Sequence, residues 1–564
     1  MDFMPDFKDI KYERPDIEAI SRKIIDLRLR LMTSQDVDQS SDILMEYEKL
    51  IVGFNTQYEL CIILHDLDTS VELYSDELEF FDSAAAQLSE LSAAMLTVMV
   101  NCPCAEALKK KYGDMIFRKA VNLKQTISPE VVDDYAEESG LANDYSQIQS
   151  EATIEFDGKE LNLSGLSVYL ESTDRNIRRG AHAALDAYYS GKKETFDRIY
   201  DDMVRVRTKI AKKLGFNTYT ELGYKIMERY DYGPEDVAKF REAVLKYIVP
   251  LTVQIRKLQK DRLGVDELMF HDLPTLFKNG NPVPNVPGIS LGDVAGDFFS
   301  RILESRPSFL EVLSEHGFTD LISRMNKSTG GYCMYLDGYA IPFIFMNANG
   351  TADDVATIVH EGGHAYAAVK SADVSPFSEC LSPTLEACEI HSTSMEFLSY
   401  PFMEMFYGEK AEQYRELHMT QALLFLPYGC MVDEFQHIVY DNPNLTPDER
   451  HGVWRSLEQK YQPFIKYDGS TPFHAMGGAW MKKDHIFTSP FYYIDYCLAH
   501  ICALQLWNLS TEDMKAALIK YNKLCSLGGT DTFLKLLAKS DIDSPFNVDV
   551  IKTIAYSCSR FLNL

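Results

Sequence analysis

The sequence predicts a mainly α fold with a small β component. Much of the first 150 residues has the spacing of amphipathic helices, as in DILMEYEKLIVGFNTQYELCIILHDLD. Two short segments alternate apolar and polar residues about an Asp-Gly pair, which is typical of β-hairpins. From residue 351 onward almost every segment again has helical spacing. We therefore expect a fold built mostly of helices, with two β-hairpins between the helical segments.

Along the chain, we expect an N-terminal helical region at residues 1–150 and a larger region at residues 151–564. The first hairpin opens the larger region and turns at Asp157-Gly158, and the second turns at Asp337-Gly338. The last strand of the second hairpin, residues 340–347, contains Pro342. A proline within a sheet is tolerated mainly at an edge. The residues alone leave an edge strand and a core strand both open here.

The composition excludes several classes of protein. The 564 residues carry a formal net charge of −28, which disfavours nucleic-acid binding because phosphate contacts need a basic face. No apolar run approaches the roughly 20 residues that cross a bilayer, and the first residues show no secretory signal. Eleven scattered cysteines without a C-x-x-C pair indicate reduced thiols. We expect a cytoplasmic protein without nucleic-acid or membrane partners, and the oligomeric state stays open.

A metal-binding motif lies in the helix predicted from residue 351. His360, Glu361 and His364 form H-E-x-x-H, in which the two histidines are one turn apart and can reach one ion. Glu361 is rotated by about 100° from His360, where it can take a proton from a metal-bound water. Gly362 and Gly363 separate the histidines, although a glycine costs a helix interior about 1 kcal/mol relative to alanine. Close approach of a second helix or of a substrate would explain them, and ordinary helix packing is the alternative.

A catalytic zinc site needs a third protein ligand. The segment SPTLEACEIHSTSMEFL offers Glu386, Glu389 and Glu396 on a helix with a predicted start at Ser382-Pro383. Glu389 and Glu396 are seven residues apart and lie nearly in line on one face. The interleaved apolar residues indicate a buried helix, where unpaired carboxylates are costly. A metal would explain the carboxylates, and a solvated acidic face is the alternative.

These motifs make a family recognisable. HEGGH, a gap of 24 residues and EIHSTSME together resemble the thimet oligopeptidase and oligoendopeptidase F family of zinc metallopeptidases. RTKIAKKLGF, PFIFMNANGT, DEFQHIVYDNP and SPFYYIDY are also similar to the oligoendopeptidase F branch, so that the resemblance runs from about residue 200 to the end. It implies one Zn²⁺ ion per chain, a zincin-like catalytic core, and two helical lobes around a deep substrate channel. It also favours an edge position for residues 340–347, where an extended peptide could add main-chain hydrogen bonds.

The resemblance implies roles for the residues around the metal. His360, His364 and Glu389 would hold zinc, with Glu389 ahead of Glu386 as the third ligand. Glu361 would be the general base, as its place in the motif already indicates. Glu396 would be a neighbouring carboxylate that orients a ligand histidine.

The segment HIFTSPFYYIDYCLAH supplies the donors that the resemblance implies for the oxyanion. We expect a helix to begin near Ser489-Pro490, with His485 before it. His485 and Tyr496, and after them Tyr493, would stabilise the negative charge that develops during peptide hydrolysis. The segment departs from thimet oligopeptidase, which has a glycine-rich loop at this point. Aromatic core residues are the alternative for the tyrosines.

The function that follows is a zinc endopeptidase that hydrolyses internal bonds of short, unfolded peptides. Glu361 would activate the attacking water. Two alternatives remain open on the sequence. A zinc carboxypeptidase would share H-E-x-x-H, and a zinc-containing peptide-binding protein would keep the ligands without the chemistry.

Overall fold

The computed structural model describes residues 4–287 and 290–564. The first three residues of the predicted N-terminal region, and residues 288–289 of the larger one, lie outside that description. The described residues form a mainly α fold with two small sheets, which confirms the predicted fold class. They group into two compact units, Met1–Ile127 with Val283–Ala411 and Cys502–Ser544, and Ser128–Pro282 with Glu412–Ile501 and Pro545–Leu564. The boundary near residue 150 and the two lobes around a channel stay predictions.

The first unit contains helices from three separate parts of the chain and one three-stranded sheet. Its helices are α1 (Ile17–Thr33), α2 (Val37–Leu67), α3 (Glu72–Asn101), α4 (Ala105–Tyr112), α5 (Met115–Thr126), α12 (Leu291–Ile302), α13 (Phe309–Glu315), α14 (Ala352–Ser371), α15 (Leu385–Leu398), α16 (Glu404–Tyr407), α22 (Met514–Cys525) and α23 (Phe533–Lys539). α1 shows how the pattern builds the unit, since it buries Ile24, Leu27 and Leu31 on one face against α2 and α3. α14 and α15 pack on each other, and α14 also packs on the sheet.

The sheet of the first unit has the strand order β3-β5-β4, with β3 at Thr319–Ile322, β4 at Tyr332–Leu336 and β5 at Ile341–Ala348. β4 and β5 form the predicted hairpin at Asp337-Gly338. The predicted edge position of residues 340–347 is wrong, because β5 is the central strand and β4 is an edge. β3 pairs with β5 only from Ile344 onward, so that Pro342 has a neighbouring strand on one side alone. A proline is therefore tolerated within a central strand.

The second unit is also helical and contains the first hairpin. Its helices are α6 (Val132–Ser150), α7 (Leu163–Leu170), α8 (Arg175–Lys213), α9 (Tyr219–Ile226), α10 (Pro234–Tyr247), α11 (Val249–Leu263), α17 (Ala411–Asp441), α18 (Pro447–Tyr461), α19 (Pro472–Ala475), α20 (Asp484–Thr488), α21 (Tyr493–Ser510, of which residues to Ile501 are grouped here) and α24 (Val548–Phe561). Strands β1 (Ile154–Phe156) and β2 (Lys159–Leu161) pair antiparallel and confirm the turn predicted at Asp157-Gly158.

One helix among the described residues, α3, is long and apolar enough to cross a membrane by length and composition. Length and apolar composition are weak evidence for a membrane span, because the core helix of a globular fold can have both. α3 packs against α1, α2 and α5 and buries Phe81, Leu88, Met95 and Met99. Only 29% of its most apolar window is buried, so α3 packs in the first unit along one face.

Candidate metal centre

Helix α14 positions both histidines of the motif. Its first turn contains Asp354, whose carboxylate accepts hydrogen bonds from the backbone N–H groups of Asn349 and Gly350 and so fixes the chain that enters from β5. His360 and His364 follow one turn apart, and their ring centroids are 5.0 Å from each other. The local helical spacing thus aims two imidazoles at one place.

Helix α15 brings a carboxylate to the same place. It begins at Leu385 with Thr384 as its N-cap residue, so that the predicted start at Ser382-Pro383 is two residues early. Oε2 of Glu389 lies 3.5 Å from Nε2 of His360 and 3.9 Å from Nε2 of His364. Among the described residues, these three form the one group of at least three His, Cys, Asp or Glu ligand atoms that all lie within 4.8 Å of one another.

Glu396 holds the other nitrogen of His360. Its Oε1 lies 2.6 Å from Nδ1 of that ring, which leaves Nε2 directed toward Glu389. A carboxylate on the far nitrogen of a ligand histidine fixes the tautomer and the ring orientation at metal sites. The structure places Glu396 where the predicted orienting role needs it, and the role itself stays a prediction.

Glu386, the alternative third ligand, lies elsewhere on α15. It is in the first turn and fully buried, and its charge acts on the thiols of Cys388 and Cys502. It does not belong to the group formed by the two histidines and Glu389. The geometry therefore favours Glu389.

The electrostatics of the group follow from burial and close opposite charges. Burial by itself lowers the pKa of His360, but the hydrogen bonds and charges of Glu389 and Glu396 outweigh it and raise the pKa well above its usual value. Burial lowers the pKa of His364 to about 4, with the charge of His360 acting in the same direction. Without a metal, a proton on His360 balances the two carboxylates, while His364 is neutral. A bound cation would take the place of that proton, so that both imidazoles could then ligate as neutral rings.

Glu361 is buried beside the group and contacts the sheet. Burial raises the pKa of its carboxyl to about 7, and the charge of His360 and a hydrogen bond from the backbone of Cys333 oppose the rise. Cys333 lies in β4, so this edge strand runs next to Glu361, the candidate general base. A carboxyl with a pKa near 7 can exchange a proton at neutral pH.

Each glycine of the motif faces a different neighbour. A Cβ at Gly363 would lie 2.8 Å from the backbone O of His391 and 2.8 Å from Cα of Ser392, so α15 needs this glycine to approach. A Cβ at Gly362 would lie 2.2 Å from the ring of Phe299 in α12. The close approach of a second helix, which the sequence offered as one explanation, accounts for Gly363, and packing against an aromatic ring accounts for Gly362.

Two contacts of this centre were not predicted from the sequence. The buried hydroxyl of Ser392 lies 3.2 Å from Oε2 of Glu389 and can donate to it. The backbone N–H of Cys333 supports Glu361. The spacing of Ser392, three residues after Glu389 on one helix, was an available signal. No signal in the sequence indicates the contact from Cys333, because that contact depends on strand order.

The predicted oxyanion donors cluster in the second unit. His485 lies in α20, and α21 begins at Tyr493 rather than near Ser489. The ring of His485 is 5.0 Å from that of Tyr493 and 5.9 Å from that of Tyr496, between centroids. Burial raises the pKa of Tyr493 well above its usual value, so its hydroxyl stays a neutral donor. The three side chains form one cluster, and their role at the oxyanion stays a prediction.

Family models match most of the chain. One described as Peptidase M3 N-terminal domain matches residues 7–127, and one described as Peptidase family M3 matches residues 168–283 and 301–556. The chain belongs to peptidase family M3. This assignment confirms the predicted family and, with it, the enzyme class of a metallopeptidase. The curated relatives of this M3 peptidase include Oligopeptidase PepF of Bacillus subtilis (strain 168), at 23% identity over 66% of this chain and 55% of that protein.

Solved structures resemble this M3 peptidase over its whole length. One described as Pz peptidase A with an inhibitor is 38% identical, with a TM-score of 0.94 and coverage of 99% of both chains. A putative oligoendopeptidase F from Bacillus anthracis str. Ames is 37% identical, with a TM-score of 0.89 over 99% of this chain and 98% of that one. Coverage is lower for the curated relative PepF, because this chain spans only about half of that protein's length.

Proposed function

We propose that this M3 peptidase is a zinc-dependent endopeptidase of short, unfolded peptides. The observation that carries the proposal is the group formed by His360, His364 and Glu389, whose ligand atoms all lie within 4.8 Å of one another. Two imidazoles and one carboxylate are the protein ligands of many catalytic zinc sites, which keep a fourth position open.

The residues present fit a zinc ion. His364 is neutral, and Glu396 occupies Nδ1 of His360 so that Nε2 is the nitrogen left for a metal. Such a carboxylate–histidine pair supports metal ligands. Glu389 supplies the negative charge, and Ser392 can hold the oxygen that faces the histidines. A bound zinc ion would polarise the scissile carbonyl and lower the pKa of water in the site.

Glu361 then moves the proton. It takes the proton of the attacking water as the new C–O bond forms, and it donates that proton to the leaving amine as the C–N bond breaks. Burial raises the pKa of this carboxyl and so strengthens it as a base, and the positive charge of a bound metal would lower that pKa again. The backbone of Cys333 lies close enough to act on this carboxyl and lowers its pKa.

His485, Tyr493 and Tyr496 are the proposed donors to the oxyanion. The hydroxyls and the imidazole can each donate a hydrogen bond, and such donors are most effective when they are held in place before the reaction. The contacts between the three rings support a joint role for them.

We assign the peptide backbone to the edge of the sheet at β4. An extended peptide can add to an exposed strand edge through main-chain hydrogen bonds, which read the backbone rather than the sequence. β4 borders β5 on one side, and no other strand of the described residues pairs with it. Cys333 of β4 contacts Glu361, so a peptide on this edge would pass the general base.

The test is cleavage of an internally quenched peptide of about ten residues that is blocked at both ends. Wild type, a zinc-stripped sample and Glu361→Gln are compared, with the zinc content of each measured. Glu361→Gln should retain zinc and lose about 10²- to 10⁴-fold in kcat. Glu389→Gln should lose zinc, whereas the matched variant Glu386→Gln on the same helix should keep it.

The outcomes separate the alternatives. Cleavage only after the C-terminal block is removed would identify a carboxypeptidase. Zinc-loaded wild type that binds peptides but cleaves none of a varied set would be a peptide-binding protein. Full activity of Glu361→Gln would remove the glutamate from the mechanism.

A further inference from the structure

The segment that carries His485, Tyr493 and Tyr496 has an unusual backbone. Phe491, which lies between α20 and α21, has φ of 70°, in the left-handed region that is unfavourable for a bulky residue. Its ring is fully buried and packs on Gly223, where a Cβ would lie 2.5 Å from it. Strain of this kind persists only where the surroundings enforce it.

Both polar backbone atoms of Phe491 are held by buried side chains. Its N–H donates to Oε1 of Gln436 at 2.9 Å, and its carbonyl oxygen accepts from Nη2 of Arg229 at 2.6 Å. The same Arg229 nitrogen lies 2.7 Å from Oδ1 of Asp495, in the first turn of α21 between the two tyrosines. The guanidinium also lies 4.3 Å from the ring centre of Tyr224. One buried cation thus joins the strained turn to the tyrosine helix.

A second buried arginine holds the other end of the segment. Arg207 donates to the carbonyl oxygens of Ile486 and Phe487, at the end of α20 that follows His485. It is kept in place by the hydroxyl of Tyr440 at 2.7 Å and by Glu138 at 2.5 Å. The segment from His485 to Tyr496 therefore has one arginine near each end.

Burying a cation is expensive, and hydrophobic residues of similar volume often stabilise a fold equally well. Two buried arginines on one short segment therefore favour a role in fixing a conformation. We propose that Arg207 and Arg229 form a two-point clamp that holds the His485–Tyr496 segment in one conformation, and that turnover depends on this. The dependence of turnover on the clamp rests on the proposed function, in which the segment supplies the oxyanion donors. Both arginines are positioning residues, since they act through the segment.

The chain offers a matched control. Arg178 is also buried in the second unit and also combines an ion pair, with Asp272 at 2.8 Å, with a carbonyl contact, to His271 at 3.0 Å. Its partners lie outside the segment. Arg178→Lys therefore reports what the loss of any buried guanidinium does to this unit.

The experiment compares Arg229→Lys and Arg178→Lys in the zinc-loaded enzyme, at a temperature where both are folded. Lysine keeps the charge but cannot reproduce the planar fork of arginine. We expect Arg229→Lys to lose about 10- to 100-fold in kcat, as small misplacements of catalytic groups do, with KM and zinc content unchanged. Amide hydrogen exchange of residues 489–496 should rise. Arg178→Lys should change neither quantity. Asp495→Asn, an isosteric change, repeats the test should the lysine variant not fold.

A double-mutant cycle with Tyr496→Phe tests whether Arg229 acts through the segment. The combined variant should then lose little more kcat than Tyr496→Phe alone. Fully additive losses, equal losses in the two lysine variants, or wild-type kcat in Arg229→Lys would each overturn the proposal. Exchange of residues 489–496 needs no catalysis, so unchanged exchange refutes the clamp even for an enzyme that cleaves nothing. An inactive wild type with the expected rise in exchange would instead refute the proposed function and the dependence of turnover, and leave the clamp standing.

Discussion

Replacing Gly363 by alanine should separate the two helices that carry the metal ligands. The new Cβ would lie 2.8 Å from the backbone O of His391, whereas ordinary van der Waals contact begins at 3.4 Å, so the helices must part by about 3.4 − 2.8 = 0.6 Å. The obstacle is the backbone of α15, which cannot swing aside as a side chain can. Because His364 adjoins Gly363 and Glu389 lies two residues before His391, the displacement reaches the ligand set.

The expected magnitudes differ for the fold and for the metal. Overpacking costs about 1–3 kcal/mol, and alanine returns about 1 kcal/mol of helix propensity. The free energy of unfolding of the metal-free protein should therefore fall by only about 0–2 kcal/mol. A separation of 0.6 Å exceeds the roughly 0.2 Å within which zinc–ligand distances are kept. We expect zinc affinity to drop by about 10- to 100-fold, as for other losses of ligand alignment.

The assay is the zinc dissociation constant from chelator competition, together with denaturant unfolding of the metal-free protein. Gly452→Ala is the control, because Gly452 lies inside α18 and a Cβ there would meet nothing within 4 Å. That variant should gain about 1 kcal/mol and leave zinc affinity unchanged. A Gly363→Ala protein that is stabilised like Gly452→Ala and binds zinc like wild type would refute the reasoning.

Two further predictions concern ligand orientation and acid stability. Glu396→Gln should weaken zinc binding by about 10- to 100-fold, because the amide supports His360 less well than the carboxylate 2.6 Å away does; unchanged affinity in the competition assay would contradict this. Burial, with the charges of Lys482 and His474 acting in the same direction, lowers the pKa of His182 to about 3. Below pH 6.5 the unfolded chain gains a proton that folded His182 refuses, so stability should fall as pH drops from 6.5 toward 3, by about 2 kcal/mol at pH 5 at 1.36 kcal/mol per pH unit. His182→Gln should flatten the decline in denaturant unfolding measured between pH 6.5 and 5, and an unchanged slope would exclude His182 as its source.

The sequence by itself determined the local parts of this protein. The spacing of His360 and His364 places both imidazoles on one face of a helix whatever that helix packs against. The turns at Asp157-Gly158 and Asp337-Gly338 were likewise readable, because the preference of Asp-Gly for hairpin turns depends on the backbone of two residues. Family resemblance, through a motif 24 residues downstream, added Glu389 as a candidate third ligand.

Only the tertiary structure decided which strand lies at the edge. β3 is four residues long, precedes β4 in the chain and pairs in parallel with β5, so neither its existence nor its place follows from the pattern around Pro342. The partners of the two glycines, the contact from Cys333 to Glu361 and the arginines that hold Phe491 are decided in the same way. Helical spacing is a property of neighbouring residues, whereas strand order, close approach and buried ion pairs depend on segments that meet only when the chain has folded.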